Sequence, residues 1–213
     1  MANDEGPTRI QVKNRGLILE AGLDVFSTDG FRGATLDGIA KAAGLSKPNV
    51  LYYFGSKEAI YRALLDTLLD TWLDPLRALD PEGEPLEEFL GYVRRKLVLA
   101  RDFPRESRLF AGEILRGAPL MADALAGDLR QLVDARCEVI RAWMTSGRLA
   151  PSDPHHLVFS VWALTQHYAD FEVQVAAVLG PERDRWAEAE AHLVEHFRRV
   201  LVMRRVSHND RSP

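Results

Sequence analysis

The 213-residue chain contains a single cysteine, Cys137, and no apolar run near the ~20 residues needed to cross a bilayer. One thiol excludes an intrachain disulfide and the paired cysteines of a zinc finger. The opening residues, Met-Ala-Asn-Asp-Glu-Gly-Pro, lack the apolar core of a secretory signal, so a cytoplasmic protein with no membrane partner is expected. Internal repeats, low-complexity tracts and the period-two alternation of strands are missing too. What is present is an ordinary globular composition, 46% hydrophobic and 27% charged. The length suits one large domain, or a small domain joined to a medium one.

A net charge of −4 at first argues against a polyanionic partner. Its distribution reverses that. Between Arg9 and Lys57 seven Lys/Arg stand against four acids, a local +3 that leaves −7 on the remainder. A basic end on an acidic body concentrates polyanion binding in one place.

That end reads as three helices behind a disordered arm over residues 1–8. The first starts at Arg9 or Val12 and puts Ile18, Ala21, Val25 and Phe26 on one face before Asp29-Gly30 stops it near Thr28. Thr35 caps a second, Leu36 to Ala43, closed by Gly44, which tolerates the left-handed conformation of a helix end. Ser46 then caps a short third helix over 47–54, and Ser56 caps the next. A short helix with a cationic, amide-bearing first turn (Lys47, Asn49) on a compact apolar base is what a helix-turn-helix domain places in the major groove. The domain is expected over residues 9–56.

Everything after it also reads as helix, so the expected fold is all-α. About nine helices in total are expected, with the later ones forming an effector-binding and dimerisation bundle over 57–206 before a tail at 207–213. The helix from Lys57 keeps an apolar stripe through Leu73 and should end or kink at Pro75, since proline costs roughly 3 kcal/mol inside a helix. Asp80 to Pro85 reads as a linker. Further helices are expected at 86–101, 104–115, 120–146, 154–179 and 181–203. In the last two, Leu157, Val158, Val161, Leu164, Tyr168, Phe171, Val175 and Val178 go nearly round the helix, and Leu193, Phe197, Val200 and Leu201 follow. Apolar residues on more than one face predict burial against a second copy, hence a two-fold homodimer through helices 154–179 and 181–203.

Thr35-x3-Ile39-Ala40-x2-Ala43-Gly44-Leu45-Ser46 followed by Tyr52-Tyr53-Phe54-x-Ser56-Lys57-Glu58-Ala59 resembles the N-terminal signature of the TetR family of transcriptional regulators. The resemblance implies that Thr35 and the segment from Ser46 to Lys57 meet double-stranded operator DNA. Lys47, Pro48 and Asn49 would lie at base edges, with Tyr53 and Lys57 on phosphates. Pro48 departs from the small residue many members carry there, which leaves the operator sequence open. A second set of segments, among them Trp72-Leu-Asp-Pro-Leu, Arg101 to Phe110 and Trp162 to Phe171, resembles the family's regulators of pyrimidine utilisation. Those are dimers whose DNA binding is released by uracil or thymine, which implies the same effector here and no cofactor.

The residues allow this chemistry. Trp162, Gln166 and Asp170 recur every fourth position and so lie in one stripe along a helix, which Phe159 continues. Uracil alternates carbonyl acceptors with N–H donors. A Gln amide complements both, a carboxylate accepts from a ring N–H, and an indole covers the ring. Trp72 is the natural second wall, with Tyr92, Lys96 and Phe110 as further candidates. The plainer alternative makes Trp162 and Trp72 core residues, with Gln166 and Asp170 satisfying each other or a dimer interface. The residues leave both open, and the resemblance favours the ligand.

Two other functions compete with a pyrimidine-released repressor: the same architecture with a different apolar or aromatic effector, and a helical enzyme of pyrimidine metabolism. The enzyme has little support, because His167 and Asp170 share a helix with no candidate nucleophile beside them. His192 and His196 share a helix face, but no third ligand is evident and no metal site is assigned. Arg198, Arg199, Arg204 and Arg205 read as a basic helix end complementing the helix dipole rather than a second DNA patch.

Overall fold

The computed structural model describes residues 8–203. The expected arm lies outside them except for Thr8, and so do the tail at 207–213, Arg204 and Arg205. Among the described residues every regular element is helical. The order is α1 (Arg9–Gly33), α2 (Leu36–Ala43), α3 (Lys47–Phe54), α4 (Lys57–Arg77), α5 (Pro85–Asp102), α6 (Pro104–Leu115), a single turn α7 (Ala122–Ala124), a π turn (Leu125–Leu129), α8 (Arg130–Thr145), α9 (Pro154–Asp170), α10 (Glu172–Leu179) and α11 (Arg185–Leu201).

The helix ends of the basic segment follow from local chemistry. Thr8 and Gln11 form a reciprocal capping box at the start of α1. Gly30 (φ 67°, ψ 171°) interrupts α1 near its end, at the expected stop, and the chain resumes one more turn to Gly33. Thr35 accepts from the Gly38 N–H at 3.0 Å, and Gly44 (φ 65°, ψ 27°) ends α2 with its N–H on the Ala40 and Lys41 carbonyls. Ser46 and Ser56 accept from the N–H groups of Asn49 and Ala59.

Four later expectations need correction. Pro75 neither ends nor breaks α4 at once, and the helix runs two residues further, to Arg77. The helix expected over 120–146 starts later, at Ala122, and its run through α7 and α8 to Thr145 contains a π turn. The extra residue per turn falls on Leu125-Ala-Gly-Asp-Leu129, where Gly127 lowers the cost of irregular backbone. The helix expected over 154–179 breaks at Phe171 (φ −112°, ψ 30°), whose ring stacks on His167 at 4.9 Å. The last helix starts at Arg185 rather than Pro181, because Asp184 accepts from the Trp186 and Ala187 N–H groups.

Among the described residues the chain forms two compact units, one up to Trp72 plus Phe103–Asp123, the other Leu73–Asp102 plus those from Ala124. The division differs from the expected boundary at 56/57, since α6 and most of α4 belong with the N-terminal helices. In the first unit α1 packs on α2 and α6, and α2 on α3. Phe26 and Phe31 meet Tyr61 at 4.8 and 4.9 Å, and Arg105 of α6 bonds both Glu20 and Asp24 of α1. In the second unit α5 lies against α9 and α11, and α8 against α9. Their shared core includes Phe89, Leu90, Val93, Ile140, Val158, Val161, Leu193 and Phe197. Cys137 is buried there, and burial pushes its thiol up to about 11, so it is a small core residue and not a nucleophile.

Candidate functional site

In the first unit α3 buries Val50 and Phe54 and turns Lys47, Pro48, Asn49, Leu51 and Tyr52 outward. Two residues of α1, neither found by sequence reasoning, hold its far end. The Asn14 amide donates to the Tyr53 hydroxyl at 3.0 Å. Arg15 donates to the Tyr53 carbonyl at 2.9 Å and lies over the Phe54 ring at 4.3 Å. Both partners are about forty positions away, so no local spacing signals them. Tyr53 is thereby oriented, with its hydroxyl proton still able to donate to a phosphate. Tyr52, not singled out from the sequence, is the more exposed of the two at 72%.

Lys47 forms an exposed ion pair with Asp37 at 2.9 Å, which holds its ammonium beside the α2 end of the motif. Thr35 and Ser46 are caps, each exposed at the surface of the motif. Lys57, the other expected phosphate contact, is also tied to the motif itself. Its ammonium donates to the Phe31 and Ala34 carbonyls, both at 2.7 Å, and lies 4.7 Å from the Phe31 ring centroid. These are C-terminal carbonyls of α1, so Lys57 fastens the end of α1 to the start of α4. Lys57→Met is expected to lower folding stability by about 1.5–3 kcal/mol, the loss of a charged hydrogen-bond donor to part-buried acceptors. Thermal unfolding reads this directly, and an unchanged melting temperature with weaker DNA binding would leave Lys57 a phosphate contact and no fastening.

The effector candidates are divided between the units. Trp72, buried, and Phe110, half-buried, belong to the first. Tyr92, Lys96, Trp162, Gln166 and Asp170 belong to the second, where α5 meets α9. Tyr92 is fully buried and its hydroxyl accepts from the Trp162 Nε1–H at 2.7 Å. Burial raises the Tyr92 pKa above the ordinary tyrosine value, so the hydroxyl stays neutral. One turn on, Lys96 is only 2% exposed. Burial pushes its amine down to about 7, against the pull of the Asp170 carboxylate. Gln166 is half-buried between Trp162 and Asp170 on α9. Two helices thus present a hydroxyl, an indole N–H, an amine, an amide and a carboxylate along one seam beside an apolar core. Within it the Tyr92 hydroxyl and the Trp162 indole bond each other, and a ligand of mixed donors and acceptors is complementary to such a set.

His192 and His196 stand exposed on α11 with ring centroids 6.3 Å apart. Among the described residues no three His, Cys, Asp or Glu side chains are grouped to hold a metal ion, and no helix is long and apolar enough to cross a membrane.

A capped three-helix head and a helical body carrying a buried polar seam define a ligand-responsive DNA-binding regulator. Two family models cover nearly the whole chain: bacterial regulatory proteins of the tetR family over residues 18–64, and the C-terminal region of YcdC-like proteins over 65–206. The chain belongs to the TetR family of transcriptional regulators, and is no enzyme. It is similar to the HTH-type transcriptional regulator RutR of Escherichia coli K12, with 54% identity over 186 residues and 87% of each chain covered. Among solved structures it resembles a tetR-family regulatory protein from Rhodococcus RHA1 (TM-score 0.70, 20% identity, 88% of this chain and 96% of that one). It also resembles AibR in complex with isovaleryl coenzyme A and operator DNA (TM-score 0.62, 19% identity, 86% and 97% covered). At those identities the likeness bears on the fold alone.

Proposed function

We propose that the protein is a cytoplasmic repressor of pyrimidine-degradation or related nitrogen-metabolism genes, released from a palindromic operator by uracil or thymine bound along the α5–α9 seam. The observation that carries this reading is the buried Lys96 amine opposite the Asp170 carboxylate, one turn from the Tyr92–Trp162 hydrogen bond. An imide ring offers carbonyls to the amine and the Gln166 amide, an N–H to the carboxylate, and a face to the indole. The 54% identity to RutR supports the same reading. Release requires the ligand to bind the DNA-free arrangement more tightly than the DNA-bound one, and α4, which runs from the first unit into the second, is the connection through which this would act.

The family's members are typically dimers, and α9–α11 supply a face for one here. Phe159 (47%), Phe171 (55%), Val178 (79%) and Val200 (40%) are exposed on these helices, more large apolar surface than a lone chain gains by showing. A sedimentation experiment that finds only monomer at micromolar concentration would remove this interface.

Isothermal titration of the full chain with uracil, thymine and cytosine tests the effector. Heat is expected with the first two and not with cytosine, which replaces the imide N–H by an acceptor and so faces the Asp170 carboxylate with no proton. No heat with uracil or thymine would discard the pyrimidine effector and leave the DNA-binding regulator standing.

A further inference from the structure

The recognition helix carries an apolar ridge that its packing does not use. Val50 and Phe54 already fill its buried face, yet Pro48, Leu51 and Tyr52 are exposed, Leu51 at 38% and Tyr52 at 72%. Pro48 lies one turn before Leu51 and Tyr52, three and four positions along, so the three side chains form one continuous outward strip on an eight-residue helix. The polar groups around it are largely engaged. The Lys47 ammonium is held by Asp37, and the Asn49 N–H is taken by the Ser46 hydroxyl. Pro48 itself has no N–H, which removes one of the first-turn donors that would otherwise face a phosphate. The first turn of α3 is therefore poorer in anion-binding groups and richer in apolar surface than a helix N-terminus need be.

The major groove displays one apolar group, the C5-methyl of thymine. We infer that Pro48 and Tyr52, with Leu51 between them, read thymine methyl groups in each operator half-site, leaving Asn49 as the hydrogen-bonding reader of the same helix. This rests on α3 being the element that enters the groove. It gives Pro48, expected at the base edges, a particular contact there: an apolar ring at a helix position where proline loses no needed hydrogen bond. The basic charge of the surrounding segment supplies the attraction to the duplex, and the ridge supplies discrimination without further charge.

The experiment uses the full chain and a duplex enriched by it from a random-sequence pool. Each thymine of that duplex is replaced in turn by deoxyuridine, which keeps the base pair and removes only the methyl group. At one or more symmetry-related pairs of positions affinity should fall roughly three- to tenfold per methyl, as burial of one methyl group implies. In Pro48→Ala or Tyr52→Ser the same replacement should have little effect at the position that residue reads. Both residues are exposed, and unchanged melting of the variants checks that they fold. Tolerance of deoxyuridine at every position, or a methyl dependence that persists in both variants, would overturn the inference while leaving α3 as the DNA-reading helix. Failure to enrich any duplex would overturn DNA reading by α3 as well.

Discussion

Lys96→Met is expected to leave operator binding intact while abolishing release by the effector, and to flatten the dependence of stability on pH between about 7 and 9. Lys96 is 2% exposed, and the folded chain holds its amine at about 7 against an ordinary 10.5. Between these values the unfolded chain binds more protons than the folded one, so stability rises with pH across that window. The contribution of this group is complete above 10.5 and is lost as pH falls through 7. From pH 7.5 to 9 the unsubstituted protein should gain roughly 2 kcal/mol from it, at about 1.4 kcal/mol per pH unit. That corresponds to a rise in melting temperature of roughly 4–8 °C for a chain of this length. Methionine keeps most of the stem volume and cannot titrate, so the variant should lack this rise. Measured together, the melting curves and an operator-release titration separate two roles. Loss of the pH dependence with effector response intact would make Lys96 a buried amine of the core and nothing more. A wild-type melting temperature flat over the window would show that the amine is not desolvated as described.

The second large effect is expected at Glu113, which sequence reasoning passed over. It is 1% exposed at the end of α6. One carboxylate oxygen pairs with Arg116 at 2.6 Å, and the other accepts from the Leu120 N–H at 2.9 Å. Arg116 also donates to the Tyr61 hydroxyl on α4, and Arg62 of α4 reaches the Leu120 carbonyl at 3.5 Å. Within this loop Ala118 has φ 52°, a left-handed conformation costly for alanine, and its N–H is bonded to the Glu113 carbonyl at 2.9 Å. The Glu113 side chain therefore holds the turn after α6 in a conformation it would not keep alone, and joins that turn to α4. Glu113→Ala should cost about 2–4 kcal/mol, because it takes the acceptor from the part-buried Leu120 N–H and the carboxylate from Arg116, and empties a buried site. Melting should fall by roughly 5–12 °C. Glu113→Gln should recover part of the loss, since its amide oxygen still accepts from Leu120. Equal melting of the Ala variant and the unsubstituted chain would show that the carboxylate holds nothing.

Some of this was legible in the residue string, and the reason is range. The caps at Thr35, Ser46 and Ser56 and the left-handed Gly44 act within one helical turn, so they define α2, α3 and the start of α4 wherever the rest of the chain goes. The grouping of Trp162, Gln166 and Asp170 on one face is likewise a property of a single helix. The charge contrast between the basic end and the acidic body needs only counting. The string by itself thus determined an all-helical protein with a DNA-reading head and a polar stripe on one helix of its body. Partner choice lay beyond it. Lys57 finds carbonyls 23 and 26 positions back, and Trp162 finds a hydroxyl 70 positions away. The break at Phe171, the π turn before α8, the place of α6 beside α1 and the burial of Lys96 were also settled only by packing. Spacing rules describe a chain's own next turn, whereas a buried amine or a borrowed cap depends on which distant surface closes over it, and that is decided when the helices pack.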